Sequence, residues 1–333
     1  KMWKKKKYPS TSSNKKKDVL FVLMIHFSCY KIQYFEPLYR CGVPLFYIIS
    51  GFFLYAKDES VQIQKVKRSI VKIVKLILFF NIVYYLLYWT IDGKSKINTV
   101  DNIIRLVIYG DSVSGHLWFL TSYLWTLVLI CIHKHFKIKD VILYIAATAC
   151  LIEGLMEGQY SFAAFANSNF SIQEYYLPWL TSSLPMMAIG YVIKKHETQI
   201  VILANKHRTI LSIGTIILCL FPYIEHQLLC ATHHYSGTFM ISTFSAVVAM
   251  FIYCICDPTM GGGKMLHITT VGKLHSGNIY YWQFFPYYLF ITNMIPKDIL
   301  QNVELPIMVV VLLIWSYGIN WSMNLLTKHR LQQ

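Results

Sequence analysis

The chain has 333 residues, of which 55% are hydrophobic and 14% are charged, and its formal net charge is +15. The apolar residues fall in repeated long blocks, which is typical of a polytopic membrane protein and not of a soluble core. Lys and Arg are confined to short segments between the blocks, so the charge indicates membrane topology and not a nucleic-acid-binding face. The eight Cys form no CxxC pair, and we expect neither a zinc site nor a disulfide framework.

Apolar blocks long enough to cross, or nearly cross, a bilayer follow one another along the chain. They lie at about 19–35, 41–56, 73–90, 117–132, 141–156, 179–193, 209–224, 237–256, 274–294 and 303–326. We therefore predict an all-α integral membrane protein with about ten transmembrane helices. It would have a basic tail at 1–18, a membrane domain at 19–326 and a short tail at 327–333. Ser, Tyr, His and Gln within the blocks should face the interior of the helix bundle.

The distribution of basic residues predicts the orientation of the chain. If both termini are cytoplasmic, the inner segments hold 25 of the 31 Lys and Arg residues, and the outer segments hold only 6. Cytoplasmic loops carry an excess of Lys and Arg, so we predict an N-in, C-in topology. The longest connections, 91–116 and 157–178, are too short for an appended soluble domain.

The first predicted span carries a histidine near its centre. His26 lies eight residues beyond Asp18, which corresponds to about 12 Å at about 1.5 Å per residue in a hydrocarbon core about 30 Å thick. A titratable group at that depth is costly and needs a polar environment. One interpretation is a packing histidine bonded to a neighbouring hydroxyl or carbonyl group. The other, which fits the depth better, is a general base.

Two further segments combine polar residues with apolar runs. Arg40 opens the second span, which contains the step Ser50-Gly51, and a glycine there permits close packing of helices. His116 lies at the outer mouth of the fourth span, in the sequence GHLWFL. Taken alone, either segment is compatible with anchoring at the membrane interface.

Together these segments resemble the integral membrane acyltransferase family 3. Its members have about ten helices, an early helix with a His, an Arg-led helix with the pattern VPLFFxISGF and a later HLWFL. The chain matches at His26, Arg40, residues 43–52 and residues 116–120, with looser similarity at 185–195 and 271–280. Two positions depart from the pattern: Lys15 stands where the family often has Arg, and Gln283 stands where it commonly has His.

The resemblance implies a membrane O-acyltransferase. Members transfer an acyl group, usually acetyl from cytoplasmic acetyl-CoA, to a sugar hydroxyl of a cell-surface or lipid-linked glycan. The implied location is the bacterial cytoplasmic membrane. His26 would deprotonate the acceptor hydroxyl or carry the acyl group transiently, while Arg40 and His116 would stabilise the oxyanion or position the acceptor.

The phosphates of the donor would meet basic residues on the cytoplasmic side. We predict Arg68, Lys72 and Lys15 as donor-binding residues, although membrane topology alone also places cations there. Lys15 is cationic but cannot make the bidentate fork that Arg makes to phosphate. The sequence does not predict an oligomeric state.

Two further features of the sequence bear on its chemistry and function. An outer cluster of Glu225, His226, His233 and His234 matches no familiar metal site in its spacing, so we predict no metal. The alternative function is a non-catalytic transporter or membrane sensor built on the same fold, and the departures at Lys15 and Gln283 motivate it. Inverted repeats would support a transporter, and no convincing pair is present in the sequence.

Overall fold

The computed structural model describes residues 36–92, 100–110, 113–164, 177–236, 238–256, 266–291 and 297–331. Within these ranges the chain forms helices and no strands, which confirms the all-α prediction. The predicted first span at 19–35, with His26, lies outside the described residues, as do Lys15 and the rest of the basic N-terminal tail.

The α-helices of the described part are numbered here in chain order. They are α1 (Glu36–Tyr39), α2 (Gly42–Leu54), α3 (Glu59–Asp92), α4 (Val100–Ile104), α5 (Trp118–His135), α6 (Asp140–Glu157), α7 (Ser161–Ala164), α8 (Leu184–Lys195), α9 (Glu197–Lys206), α10 (Arg208–Ala231), α11 (Ile241–Cys256), α12 (Leu266–Trp282), α13 (Phe284–Pro286) and α14 (Lys297–Leu331). A 3₁₀ turn at Gly115–Leu117 leads into α5, and π-helical turns occupy Arg105–Tyr109, Trp179–Ser183 and Tyr287–Ile291.

Several helices have the length and apolar composition of membrane spans. Among the described residues four qualify: Glu36–Leu54, Glu59–Ile91, Gly115–His135 and Arg208–Ala231. Shorter apolar helices lie at Ile241–Cys256 and Pro306–Ser322. The chain is therefore described as a membrane protein, while about ten spans and the N-in, C-in orientation stay predictions.

Helix α3 is longer than a membrane crossing requires. Its 34 residues extend about 51 Å at 1.5 Å per residue, against a hydrocarbon core of about 30 Å. The N-terminal part carries Lys65, Lys67, Arg68, Lys72 and Lys75, which are costly in lipid. We infer that this basic part projects from the membrane and that the apolar C-terminal part crosses it.

The chain divides into two compact units, Lys1–Gly42 with Asp257–Gln333, and Val43–Cys256. In the described part of the first unit, α12 and α14 are joined by polar contacts in which His275 Nδ1 lies 2.8 Å from Ser316 Oγ. The predicted continuous span at 274–294 is interrupted: α12 ends at Trp282, and α13 begins at Phe284.

In the second unit, glycines bring α2 and α8 into backbone contact. A Cβ atom on Gly51 would overlap the carbonyl group of Met187, and a Cβ atom on Gly190 would overlap the carbonyl group of Ile48. The predicted role of Gly51 in close helix packing is thereby confirmed.

A carboxylate joins the ends of α5, α6 and α8. Asp140, the first residue of α6, accepts hydrogen bonds from Lys134 Nζ at 2.7 Å and from Lys195 Nζ at 2.8 Å. Burial raises the pKa of the Asp140 carboxyl, but the hydrogen bonds and positive charges of the two ammonium groups outweigh it and hold the pKa well below its usual range. This carboxylate therefore stays ionised and links three helices.

Candidate functional site

One face of α3 carries the polar groups that build the candidate site. Asn81, Tyr84 and Tyr88 are spaced i, i+3 and i+7, so they lie on one side of the helix. All three are buried, whereas their neighbours Ile82 and Leu86 are exposed. Polar residues at this spacing in an apolar span indicate a helix face that contacts protein and not lipid.

Asn81 holds the chain segment that precedes α5. Its side-chain oxygen accepts a hydrogen bond from the Val113 backbone N–H at 3.0 Å, and its side-chain nitrogen donates to the Ile77 carbonyl at 2.8 Å. The two contacts orient the amide, with its oxygen toward Val113 and its nitrogen toward Ile77. The Leu117 N–H then donates to the Ser114 carbonyl at 2.9 Å and closes the turn that contains His116.

His116 lies inside this turn and is 1% exposed. Its Nδ1 atom is 3.0 Å from Ser114 Oγ, and that hydroxyl is 3.3 Å from the hydroxyl of Tyr88. The Tyr84 ring packs edge-on against the imidazole, with 5.1 Å between ring centroids. Because the imidazole is buried and held by polar groups, His116 belongs to the interior of the protein and is not an interfacial anchor.

Buried hydroxyl groups continue along α5 from His116. Thr121 Oγ1 and Ser122 Oγ are buried and have no hydrogen-bond partner within the described part of the chain. One turn further, Thr126 Oγ1 lies 2.9 Å from Ser183 Oγ and 3.2 Å from the Trp179 carbonyl oxygen of the neighbouring π-helical turn. Buried hydroxyls without a protein partner favour an interior that water or a polar substrate fills.

Arg40 lies in the turn between α1 and α2, in the first unit. Its Nε and Nη2 atoms both donate to Oε1 of Glu36, at 2.9 Å and 2.6 Å. Both side chains are about one-fifth exposed. Arg40 and His116 belong to different compact units, so their cooperation stays a prediction.

The two predicted donor-binding residues within the described ranges lie on the basic part of α3. Arg68 and Lys72 are exposed, one helical turn apart and on the same face. The neighbouring Lys65 contacts the carbonyl oxygens of Tyr55, at 3.2 Å, and Phe53, at 3.4 Å, and so satisfies groups at the end of α2. Lys65 therefore has a structural role, whereas the side chains of Arg68 and Lys72 are exposed.

The outer cluster around Glu225 organises the start of α11. The Glu225 carboxylate accepts the backbone N–H of Ser242 at 2.9 Å and a hydrogen bond from the Tyr160 hydroxyl. A carboxylate at this position stabilises the N-terminus of a helix. The ring of His234 stacks on Phe162, with centroids 4.1 Å apart.

Gln283 belongs to the first unit and is fully buried. Neither its side-chain oxygen nor its side-chain nitrogen has a hydrogen-bond partner among the residues that the structure describes. A buried amide of this kind is costly unless water or a ligand satisfies it. Gln283 therefore marks a second polar position in the interior.

Sequence reasoning missed Ser114, Tyr88 and Asn81. The spacing of Asn81, Tyr84 and Tyr88 within an apolar block was the available signal, because it places three polar groups on one helix face. Nothing in the sequence pairs that face with residues 113–116, which lie about thirty positions further along the chain.

Long apolar helices around buried histidine, hydroxyl and amide groups define a helical membrane protein with a polar interior site. A family model described as an acyltransferase domain matches residues 16–323. The chain therefore belongs to acyltransferase family 3 and is a membrane enzyme that transfers acyl groups. The match includes His26, Arg40, Arg68, Lys72 and His116, while Lys15 lies one residue before it. No curated protein and no solved structure shows significant similarity to the chain.

Proposed function

We propose that the protein is an O-acetyltransferase that moves an acetyl group from cytoplasmic acetyl-CoA to a hydroxyl of a cell-surface or lipid-linked glycan. The observation that carries the proposal is the buried imidazole of His116, which lies within the residues that the family model matches and has its Nδ1 atom 3.0 Å from Ser114 Oγ. A buried, hydrogen-bonded imidazole is suited to acyl transfer because it can hold or donate a proton at the reacting oxygen.

Donor and acceptor lie on opposite sides of the bilayer in this proposal. His26, about 12 Å along its predicted span, takes the proton of the acceptor hydroxyl as the hydroxyl oxygen attacks the thioester carbonyl. The tetrahedral oxyanion collapses, the carbon–sulfur bond breaks, and the thiolate of coenzyme A takes up the proton as it leaves. In the other route the His26 imidazole attacks the thioester carbonyl, coenzyme A leaves as the thiol with the imidazole proton, and the acceptor hydroxyl then takes the acyl group and returns its proton to the imidazole.

The roles of the remaining residues follow from their charge and hydrogen-bonding capacity. His116 and Arg40 stabilise the oxyanion or position the acceptor. Arg68 and Lys72, exposed on the basic part of α3, bind the phosphates of the donor from the cytoplasm. Lys15 precedes the first span and is assigned to the same donor site because of its cationic charge.

The test is glycan analysis of a deletion strain together with transfer by the purified protein. The deletion should remove a specific ester from the surface polysaccharide. The intact gene should restore that ester, and a gene carrying His116→Gln should restore less of it. The purified protein should transfer label from radiolabelled acetyl-CoA to the isolated acceptor. A deletion strain that keeps every ester would contradict the proposal.

The alternative is a non-catalytic transporter or membrane sensor on the same fold. It is favoured by Gln283, a neutral buried amide where the family commonly has a titratable histidine. The two proposals differ in a Gln283→His variant. An enzyme with its base elsewhere transfers acetyl in the parent form and should change little in the variant, whereas a protein that lost catalysis with this histidine shows no transfer in the parent form.

A further inference from the structure

We propose that α4 and the π-helical turn Arg105–Tyr109 form one re-entrant helix, which enters the membrane between α3 and α5 and exposes an apolar face to lipid acyl chains. The indoles of Trp125 and Trp179 hold its C-terminal end inside the membrane. This helix, called here the 100–109 helix, belongs to the second compact unit, as do both tryptophans. The sequence alone places it in a connection at 91–116, outside the membrane. The inference concerns membrane topology and does not rest on the proposed function.

The first step is the end of the 100–109 helix. It ends at Gly110, which has a φ of +81° and whose N–H donates to the Arg105 carbonyl. A Cβ atom on Gly110 would lie 3.4 Å from the carbonyl oxygen of Trp118, so the turn packs against the start of α5. The last carbonyl groups of a helix have no partner within it. Water binds them at an aqueous surface, whereas inside a membrane they need donors from the protein.

Two tryptophans supply such donors. The Nε1 atom of Trp125 donates to the Val107 carbonyl at 2.6 Å, and that of Trp179 donates to the Ile108 carbonyl at 3.1 Å. The two rings are 6.0 Å apart between centroids, and the Thr126 hydroxyl is 3.2 Å from the Trp179 carbonyl oxygen. An indole N–H can only donate. The two indoles therefore form one support that caps the C-terminal end of the 100–109 helix.

The second step is the depth of these contacts. Trp125 lies ten residues from either end of the candidate span Gly115–His135, which is about 15 Å at 1.5 Å per residue. Further along the segment, the Val113 N–H donates to Asn81. Asn81 lies eleven residues before Asp92, the end of α3, or about 16 Å inside that end. A connection that stayed at the ends of α3 and α5 could reach neither position.

The third step is the exposed face of the 100–109 helix. Its four large apolar side chains at spacing i, i+1, i+4 and i+5 share one face and are 42–51% exposed: Ile103, Ile104, Val107 and Ile108. At the depth of the tryptophan contacts, such a face is covered by lipid acyl chains. A second copy of the chain is the other possible occupant, and it would shield the same four side chains from lipid.

One charged side chain, that of Arg105, has to be accommodated in this arrangement. Long side chains on a helix lean toward its N-terminus, which here is the side from which the helix enters the membrane. Arginine can keep its apolar stem in lipid while its guanidinium group extends to the water interface. The position of Arg105, five residues before Gly110, is thus compatible with a re-entrant helix.

The direct test is photolabelling of the unmodified full chain in lipid nanodiscs that contain a phospholipid with a diazirine at the end of one acyl chain. Peptide mass spectrometry should find adducts on residues 103–108 at a yield comparable with that of Ile216 and Leu220, which are exposed on the candidate span α10. Phe136, exposed in the connection between α5 and α6, is the control and should carry few adducts. Labelled α10 with unlabelled residues 103–108 would overturn the proposal, whether water or a second copy covers them.

Spin labels then measure the location of the 100–109 helix. In a background without native cysteines that keeps the wild-type melting temperature, a nitroxide at Ile104→Cys should be accessible to oxygen and shielded from a water-soluble nickel complex. The same pattern is expected at Ile216→Cys, and the reverse at Phe136→Cys. An aqueous pattern at Ile104→Cys would contradict the location in the membrane.

Substitution of the two tryptophans tests the support. Trp125→Phe combined with Trp179→Phe keeps the rings apolar but removes both indole N–H groups, so the helix should move toward water and the nickel complex should reach Ile104→Cys several-fold more readily. Trp321→Phe, an exposed tryptophan in the other compact unit, is the matched control and should change nothing. An unchanged accessibility in the double variant would contradict the role of the indoles. The photolabelling needs no variant, so it tests the location of the helix even if a variant does not fold.

Discussion

Gly51 of α2 lies directly against the carbonyl group of Met187 in α8, without space for a Cβ atom between them. Three residues further along α8, Gly190 makes the reciprocal approach to the backbone of Ile48. Small residues at a helix crossing permit backbones to approach closely and are a main source of helix association in membranes. This pair of contacts fixes α2 against α8.

Gly51→Ala should therefore destabilise the protein. The new methyl group would have to displace backbone and not a flexible side chain, which costs about 1–3 kcal/mol or more. The measurement is the apparent melting temperature of the purified protein in detergent. Gly214→Ala is the matched control, because a Cβ atom at Gly214 meets nothing within 4 Å. Equal melting temperatures for the two variants would show that the crossing is looser than described.

Asp140→Asn should lower stability at neutral pH and have less effect in acid. The carboxyl has a depressed pKa in the folded protein because Lys134 and Lys195 bind its ionised form. Such a group contributes stability above its unfolded pKa of about 3.9, and the contribution is lost as pH falls toward the lower folded pKa. The melting temperature should thus differ between wild type and variant at pH 7, with the gap narrowing below about pH 4.

The control for Asp140 is Glu59→Gln, an exposed carboxylate at the start of α3 and outside the predicted spans. It should change the melting temperature little at either pH, since exposed charges contribute about 0–1 kcal/mol. If Asp140→Asn and the wild type have the same melting temperature at pH 7, the link between α5, α6 and α8 does not stabilise the fold.

Arg68→Ala should raise KM for acetyl-CoA by about tenfold and leave kcat nearly unchanged. A charged hydrogen bond contributes about 1.5 kcal/mol, and a phosphate contact made equally in the ground state and the transition state affects binding alone. Lys67→Ala removes the same charge from another face of α3 and serves as the control. A normal KM in Arg68→Ala would remove this residue from the donor site.

Cysteine labelling tests the orientation predicted from the basic residues. In a background without the eight native cysteines, an impermeant maleimide added to intact cells should label a cysteine at Phe162 and miss one at Thr198. Both positions are exposed, so a difference in labelling reports the side of the membrane. The opposite pattern would contradict the predicted N-in, C-in topology and would put the basic part of α3, the predicted donor site, outside the cytoplasm.

Hydropathy predicted the positions of several helices closely. The blocks at about 117–132 and 141–156 correspond to α5, which ends at His135, and to α6, which spans Asp140–Glu157. Hydropathy underestimated the length of α3, because the basic residues before the apolar block at 73–90 do not interrupt the helix, which spans Glu59–Asp92. The hydropathy pattern indicates which residues lie in the lipid, whereas backbone hydrogen bonding determines where the helix begins and ends.

The site was only partly predictable, for a similar reason. His116 stands out because a histidine beside a long apolar run is unusual. Its contacts with Ser114 and Tyr88 depend on how α3 packs beside α5, and no local pattern encodes that packing. Gly51 was recognisable from the sequence as a packing position. Its partner Met187 lies far away in the sequence and could not be predicted.

The most direct test of the account compares acetyl transfer by purified His26→Gln and His116→Gln at saturating acetyl-CoA. Glutamine can donate and accept hydrogen bonds but cannot take up a proton near neutral pH. The account predicts that His26→Gln folds normally and loses at least about a hundredfold in rate, the contribution of a general base. His116→Gln, which keeps an N–H donor, should lose less. A nearly normal rate for His26→Gln with an inactive His116→Gln would contradict the account and place the base at His116.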